Sequence, residues 1–228
     1  MTYDEYIAYH KRGDASIEER LVPVIAKRLG LNGWNAFRFY YLYATLYHIP
    51  SVIDLMRNPN TPKSSLVFRT DRRYVRIGDT YERMIAQLKP ELMERLQACR
   101  TTSEAYKEVT SWYFFGRYAA YLFLEVYYYA YPHSVERDDF MCAWERGENY
   151  TNGAALLAGT NDKKRLDEFL TQAKADTGDN AFALETSLCA VWKMHKKGLT
   201  EGYCAERLVK LVCESKYQNF LLPLISTS

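Results

Sequence analysis

The sequence is poor in the residues that interrupt helices. It has only 11 glycines and 7 prolines among 228 residues, which argues against a turn-rich β-sandwich and favours long helices. It also lacks an apolar run of about 18 residues, so we expect no membrane span. The N-terminal residues include Asp4 and Glu5 and no apolar core, which argues against a secretory leader.

Several signatures of common chemistries are missing as well. The five cysteines form no CxxC pair, a pattern typical of reduced thiols in a cytoplasm rather than of disulfides or a zinc site. The four histidines are scattered and form no HExxH pair. The chain contains no GxxxxGK motif followed by Ser or Thr, no GxGxxG and no GxSxG. We therefore expect neither a metal nor a bound cofactor.

The charge is balanced overall but uneven locally. The sequence has 30 Lys and Arg and 28 Asp and Glu, so its net charge is +2. This balance excludes a strongly basic coat protein and an acidic disordered tail. Residues 63–76, KSSLVFRTDRRYVR, nevertheless contain five basic side chains: Lys63, Arg69, Arg72, Arg73 and Arg76. Guanidinium groups bind phosphate oxygens, and the interleaved Phe68 and Tyr74 can stack on bases. The alternative is a solvated loop whose arginines pair with neighbouring acids.

Apolar residues recur at helical spacing along most of the chain. The predicted helices are 17–29, 34–48, 51–57, 80–98 with a break at Pro90, one starting near 104 with Thr102 or Ser103 as its cap, 113–131, 137–144, 150–158, 162–176, 181–197 and 201–215. No alternating strand pattern occurs. We therefore predict an all-α, roughly ten-helix single domain over residues 1–228, with two lobes, 1–110 and 111–228, as the alternative.

Two glycine-containing turns precede predicted helices. Gly116 opens the most apolar helix, and the loop from Gly147 to Gly153 opens another; backbone N–H groups at such positions favour an anion. Glu125 is the one acid in the apolar helix. A buried carboxylate is costly unless it is paired, so Glu125 either pairs with a base such as Arg117 or works in a site.

A further candidate lies in residues 185–198, ETSLCAVWKMHKKG. Glu185, Cys189 and Lys193 are four residues apart and therefore share one face of a helix. A carboxylate, a thiol and an amine in this order can serve as base, nucleophile and phosphate clamp. The alternative is a partly exposed helix face with a structural cysteine.

Three stretches occur in the order seen in a known enzyme family. They are Phe68–Arg73, then Gly116–Glu125 with the Gly147–Gly153 loop, then the helix with Glu185, Leu188, Cys189 and Lys193. In these motifs the chain resembles the alpha-glutamyl/putrescinyl-thymine pyrophosphorylase group. That group includes bacteriophage amino acid:DNA transferases and is similar to the helical domain of hydroxymethyluracil DNA kinases.

The resemblance implies a fold similar to helix-hairpin-helix DNA glycosylases. It also implies two partners: DNA carrying pyrophosphorylated 5-hydroxymethyluracil, and an amine, either an amino acid or a polyamine, that displaces the pyrophosphate. The reacting base would be flipped out of the duplex. The setting implied is the cytoplasm of an infected bacterial cell.

The resemblance assigns roles to the candidate residues. Glu185 deprotonates the incoming ammonium, Lys193 offsets charge on the leaving group, and Cys189 adds to the base ring or only packs. Contacts to phosphate and DNA fall on the basic residues Lys63, Arg69, Arg72, Arg73, Arg76 and Arg117. Contacts to the base or substrate fall on Asp71, Tyr74, Glu125, Asn149, Tyr150 and Asn152.

Two other functions compete with this one. A glycosylase-like, base-excising enzyme would need a catalytic Asp, for which Asp138 and Asp139 are the candidates. A non-catalytic helical DNA-binding protein would need only the basic segment.

Overall fold

A computed structural model describes residues 1–132, 144, 145 and 147–225, without the side chains of residues 70 and 71. These residues contain thirteen α-helices, two 3-10 turns and no β-strand. The expected all-α class is therefore confirmed for this part of the chain. The likeness to DNA glycosylases stays a prediction.

The helices, in chain order, are α1 Tyr3–Arg12, α2 Ile17–Arg28, α3 Gly33–Leu46, α4 Ile49–Arg57, α5 Thr80–Gln87, α6 Pro90–Ala98, α7 Thr102–Ser111, α8 Arg117–Ala130, α9 Asn149–Ala158, α10 Lys163–Thr177, α11 Ala181–Lys197, α12 Tyr203–Cys213 and α13 Gln218–Ile225. They fall into two compact units. The first comprises Met1–Glu18 and Asp139–Leu211, and the second comprises Glu19–Asp138 and Val212–Ser228. The single domain expected from the sequence stays a prediction.

Backbone geometry moves several helix boundaries away from the predicted ones. Phe114 has φ +63°, which a right-handed helix cannot contain, so α8 begins at Arg117 rather than at residue 113. Tyr47 has φ +53°, which ends α3 at Leu46. The cap of α7 is Thr101, which forms a capping box with Glu104; the predicted caps Thr102 and Ser103 were wrong.

Other elements differ from those that helical periodicity predicts. The helices α1 and α13 were not predicted, and the basic segment forms 3-10 turns at Lys63–Ser65 and Thr70–Arg76. Pro90 does separate two helices, since it is the first residue of α6. Residues 137–143 of the predicted helix 137–144 lie outside the described residues, and residue 144 is not helical.

Aromatic packing between α3 and α8 forms the core of the second unit. Phe37 of α3 and Phe123 of α8 meet edge to face with ring centroids 5.5 Å apart. Trp112, just before α8, packs on both of these rings and on Phe115. Edge-to-face contacts of this kind are favourable beyond the area they bury. The most apolar predicted segment is therefore a core helix, as expected.

The first unit depends on a close approach of α9 and α11 at Gly153. A Cβ atom added at Gly153 would lie 2.1 Å from the Leu188 carbonyl oxygen and 2.9 Å from its carbonyl carbon. Real Cβ atoms do not come this close to backbone atoms, so only glycine permits the observed separation of the two helices. Gly153, expected from the sequence to end a ligand-binding loop, lies instead within α9 and is a packing residue.

We expect Gly153→Ala to destabilise the protein by about 2 kcal/mol, because overpacking against backbone forces the helices apart. Gly202→Ala is the matched control, since its added Cβ would meet only a Glu206 side-chain oxygen at 3.8 Å. Urea unfolding followed by circular dichroism measures both. Equal unfolding free energies for the two variants would contradict the close approach.

Candidate functional site

The basic segment docks on the C-terminal end of α3. The backbone N–H of Arg69 donates to the Leu46 carbonyl at 2.9 Å, and Arg72 Nε donates to the Thr45 carbonyl at 3.2 Å. The last carbonyls of a helix have no partner within the helix and carry partial negative charge. Arginine-bearing chain is therefore well suited to this position, and the docking fixes the segment in the second unit.

A buried carboxylate supports Arg69 through a tyrosine. The Arg69 guanidinium carbon lies 4.7 Å from the centre of the Tyr47 ring, a cation–π contact. The Tyr47 hydroxyl donates to Glu19 Oε1 at 3.2 Å, and Tyr43 donates to the same oxygen at 3.3 Å. Glu19 is only 3% exposed. The Arg69 side chain is therefore held by Tyr47, which Glu19 fixes in turn, in addition to the backbone hydrogen bond of Arg69.

Strained backbone occurs where arginines of this segment are held. Among the described residues, only Tyr47 and Phe114 combine a side chain with positive φ. Tyr47 lies under Arg69, and Phe114 lies 5.9 Å from the guanidinium carbon of Arg72. A bulky residue in the left-handed region costs of order 1–3 kcal/mol and is typical of functional positions. The strain therefore coincides with the sequence motif.

The predicted phosphate-binding residues separate into buried and exposed groups. Arg72 is 5% exposed, so its guanidinium anchors the segment. Lys63 is occupied as well, since its ammonium donates to the Gly78 carbonyl at 2.7 Å and pairs with Glu82 at 3.0 Å. Arg73 and Arg76 are exposed. Of the predicted cations in this segment, these two are the most accessible to a ligand.

Two exposed aromatic rings lie beside arginines of this segment, Tyr74 beside Arg73 and Phe114 beside Arg72. Tyr74 is 51% exposed and Phe114 is 41% exposed. Arg73 stacks over the Tyr74 ring at 4.8 Å and donates to its hydroxyl at 3.0 Å. Exposed rings beside cations can stack on bases while the cations hold phosphates. Asp71, the predicted base contact beside them, has no described side chain.

The two predicted residues of α8 have different environments. Glu125 is 2% exposed, and its Oε1 accepts a hydrogen bond from the Tyr129 hydroxyl at 3.4 Å. Arg117 is half-buried at the first turn, with its guanidinium carbon 5.4 Å from the Tyr121 ring. Glu125 is therefore a buried carboxylate in a tyrosine-rich core.

In the first unit, α11 brings two of its three predicted catalytic residues into contact. The Cys189 thiol donates to Glu185 Oε1 at 3.7 Å. Glu185 is 8% exposed, whereas Cys189 and Lys193 are half-buried. Lys193 follows on the same face and makes no ion pair with any described residue. The carboxylate and the thiol therefore act as one hydrogen-bonded unit.

The loop before α9 borders a pocket of about 430 Å³ in the first unit. Asn152 lines this pocket, as do Trp144, Gly147 and Thr151. Tyr150 is fully buried and stacks against Trp144 with centroids 6.0 Å apart, so its ring supports the pocket wall from behind. Asn149, the first residue of α9, is half-buried.

The first unit also contains a buried network that no sequence motif indicates. Ser187 Oγ lies 2.9 Å from the Tyr6 hydroxyl and 3.0 Å from His10 Nδ1, and His10 Nε2 lies 3.0 Å from Asp179 Oδ2. Ser187 is 0% exposed and also donates to the Leu184 carbonyl. Although these are the residue types of a hydrolase triad, the serine is sealed from substrate, so the network ties α1 to α11.

The contacts of Glu19, Tyr43 and Tyr47 were also missed. The periodicity of α3 indicates only that its tyrosines are buried, and nothing in the sequence links them to Glu19.

The candidates Asp138 and Asp139 for base excision lie outside the described residues. The described part of the chain contains no cluster of three or more His, Cys, Asp or Glu side chains that could hold a metal ion. No helix there has the length and apolarity to cross a membrane.

Comparison with protein-family models, with curated proteins and with solved structures finds no match to this chain.

His48, next to Tyr47, makes the stability of the fold depend on pH. Its Nδ1 accepts from the Ser51 backbone N–H at 3.3 Å and caps α4. Burial, with the charge of Arg69 as the second cause, lowers the pKa of His48 to about 4. The unfolded chain takes up this proton near the ordinary pKa of about 6.5. His48 therefore contributes stability at neutral pH that is lost as the pH falls from about 6.5 to 4.

We expect the free energy of unfolding to fall by about 2 kcal/mol over this window because of His48. The variant His48→Asn keeps a capping oxygen and does not titrate. Denaturant unfolding at several pH values measures both proteins. The variant should lose less stability than the wild type on acidification, and parallel curves would contradict the assignment.

Proposed function

We propose that the protein is a bacteriophage DNA transferase that displaces pyrophosphate from pyrophosphorylated 5-hydroxymethyluracil with an amine. The observation that carries the proposal is the coincidence of motif and strain: Arg69 and Arg72 of the FRTDRR segment are each held against a residue with positive φ. Backbone strain of this kind supports a functional role for the segment. The reaction itself comes from the sequence resemblance.

The basic segment supplies the DNA contacts in this proposal. Arg73 and Arg76 bind backbone phosphates, and the exposed rings of Tyr74 and Phe114 stack on bases displaced from the duplex. Arg72 keeps the segment in place, since it is buried against α3.

In this proposal, residues of α11 carry out the displacement of pyrophosphate. The amine nitrogen forms a bond to the exocyclic carbon of the base, and the bond from that carbon to the pyrophosphate oxygen breaks, so that pyrophosphate leaves with the electron pair. The amine must be neutral to attack, and Glu185 takes the proton it loses. Lys193 offsets the charge on the departing pyrophosphate. The Cys189 thiol orients Glu185 through its hydrogen bond.

The direct test incubates the protein with pyrophosphorylated 5-hydroxymethyluracil DNA and a panel of amino acids and polyamines, followed by nucleoside mass analysis. We expect a mass-shifted nucleoside and free pyrophosphate. Glu185→Gln should lower the rate by 100-fold or more, about the contribution of a general base, and Cys189→Ser should keep most activity because it retains a donor. DNA affinity should be unchanged in both variants.

Other products would point to the competing functions. Free base with abasic DNA would identify a base-excising enzyme. Tight DNA binding without any new nucleoside would identify a DNA-binding protein. Either result overturns the transferase proposal.

We also expect Arg73→Ala and Arg76→Ala to weaken DNA binding in a salt-dependent way. Each lost phosphate contact should reduce the slope of log affinity against log salt by about 1. Arg100→Ala is the matched control, because Arg100 is an exposed arginine of the same unit outside the basic segment. Fluorescence anisotropy at several salt concentrations measures all three. Equal slopes for the three variants would exclude this surface as the DNA contact.

A further inference from the structure

The turn at residues 112–115, between α7 and α8, carries an exposed apolar ring on strained backbone. Trp112 and Phe115 are buried in the core, and the Phe115 N–H donates to the Trp112 carbonyl at 3.0 Å. Phe114, between them, has φ +63° and is exposed. Glycine would adopt this conformation without strain. A phenylalanine that is strained and yet not buried contributes little to the fold, which indicates that its ring serves a ligand.

One side chain of α5 holds the backbone of the 112–115 turn. Gln87 Nε2 donates to the Tyr113 carbonyl at 2.9 Å, and the Tyr113 N–H donates to Gln87 Oε1 at 2.7 Å. The Tyr41 hydroxyl fixes Gln87 in turn, because it accepts from the same Nε2 at 2.8 Å and donates to the Met84 carbonyl at 2.8 Å. The Phe114 ring therefore projects from a preformed support, which lowers the entropic cost of binding.

Arg83 of α5 places a cation beside this turn. Its guanidinium carbon lies 4.1 Å from the centre of the Tyr113 ring, and the centres of the Tyr113 and Phe114 rings are 6.1 Å apart. Arg83 is exposed and makes no ion pair with any described residue. Glu82, the one acid of α5, pairs with Lys63 instead. The guanidinium of Arg83 is therefore open to an anion from outside the fold.

An exposed ring beside an exposed guanidinium suits a nucleic-acid strand. Aromatic rings stack on bases, and arginines bind the phosphates of the same strand. In an intact duplex each base is covered by its neighbours, so a ring fixed at a protein surface reaches the face of a base only where the strand is open. The 112–115 turn therefore fits a strand with unpaired bases better than a duplex.

We propose that the 112–115 turn and Arg83 bind single-stranded DNA, with the Phe114 ring stacked on an unpaired base and Arg83 paired with a phosphate. The choice of DNA rests on the proposed function, in which a base leaves the duplex. The inference adds the form of DNA that this surface holds. Neither Arg83 nor Tyr113 belongs to a sequence motif, so this contact is separate from those expected of the basic segment.

The test is fluorescence anisotropy on the full chain with two unmodified probes. One is a labelled oligothymidylate of about 16 nucleotides, the upper end of common site sizes, and the other is the same strand paired with oligodeoxyadenylate. We expect the single strand to bind more tightly than the duplex. Phe114→Gly should weaken single-strand binding by about 10-fold, the order expected of one base–aromatic contact, and leave duplex binding unchanged. Circular dichroism should show this variant folded, because glycine accepts φ +63°.

Arg83→Gln tests the cation independently of the ring. It should reduce the slope of log affinity against log salt by about 0.7 for the single strand, the value for one phosphate contact. Tyr131→Ala is the matched control for Phe114→Gly, because it removes an exposed ring of the same unit at the other end of α8. Arg100→Gln is the control for Arg83→Gln, because Arg100 is also exposed. Both control variants should bind the two probes like the wild type.

The outcomes separate this inference from the proposed function. Single-strand binding that depends on Phe114 and Arg83, in a protein that transfers no amine to DNA, would leave this site standing and overturn the transferase. Amine transfer together with unchanged single-strand binding in both variants would overturn this site alone. Duplex binding as tight as single-strand binding would also overturn it. Equal competition by polyglutamate would do the same, because charge alone would then explain the binding.

Discussion

The unpaired carbonyl groups at the end of α3 organise the second unit. Tyr47 turns the backbone into the left-handed region, so the carbonyls of Thr45 and Leu46 remain open to the basic segment. That segment supplies an N–H from Arg69 and a guanidinium from Arg72. The end of this helix thus supplies the acceptors that hold a cationic loop. The same tyrosine then supports Arg69 with its ring and bonds to Glu19 with its hydroxyl.

A comparable constraint acts in the first unit at Gly153. The backbone contact with Leu188 sets the distance between α9 and α11. Asn152 precedes the glycine on one helix, and Cys189 follows Leu188 on the other. Thr151 and Asn152 of the pocket therefore belong to α9, and the carboxylate and the thiol belong to α11. The missing side chain of Gly153 determines the separation of these two helices. In both units, a residue that fixes the packing lies beside candidate functional residues: Tyr47 beside Arg69, and Gly153 beside Asn152.

Helical periodicity predicted most helices because it reports which face of a segment is buried, and burial is the main source of helix stability in proteins. It failed where single residues set the backbone. Phe114 and Tyr47 carry no sequence signal for positive φ, so the limits of α8 and α3 were misplaced. The aligned spacing of Glu185 and Cys189, in contrast, was enough to predict their contact.

The sequence by itself determined the all-helical class, the position of the basic segment and the shared face of Glu185, Cys189 and Lys193, since each depends on residues close along the chain. Only the tertiary structure decided which arginines are exposed, because burial of Arg72 depends on carbonyls of α3 more than 20 residues away. It also decided the partners of Glu19 and the walls of the pocket. Such contacts join distant segments, and no local pattern of residues records them.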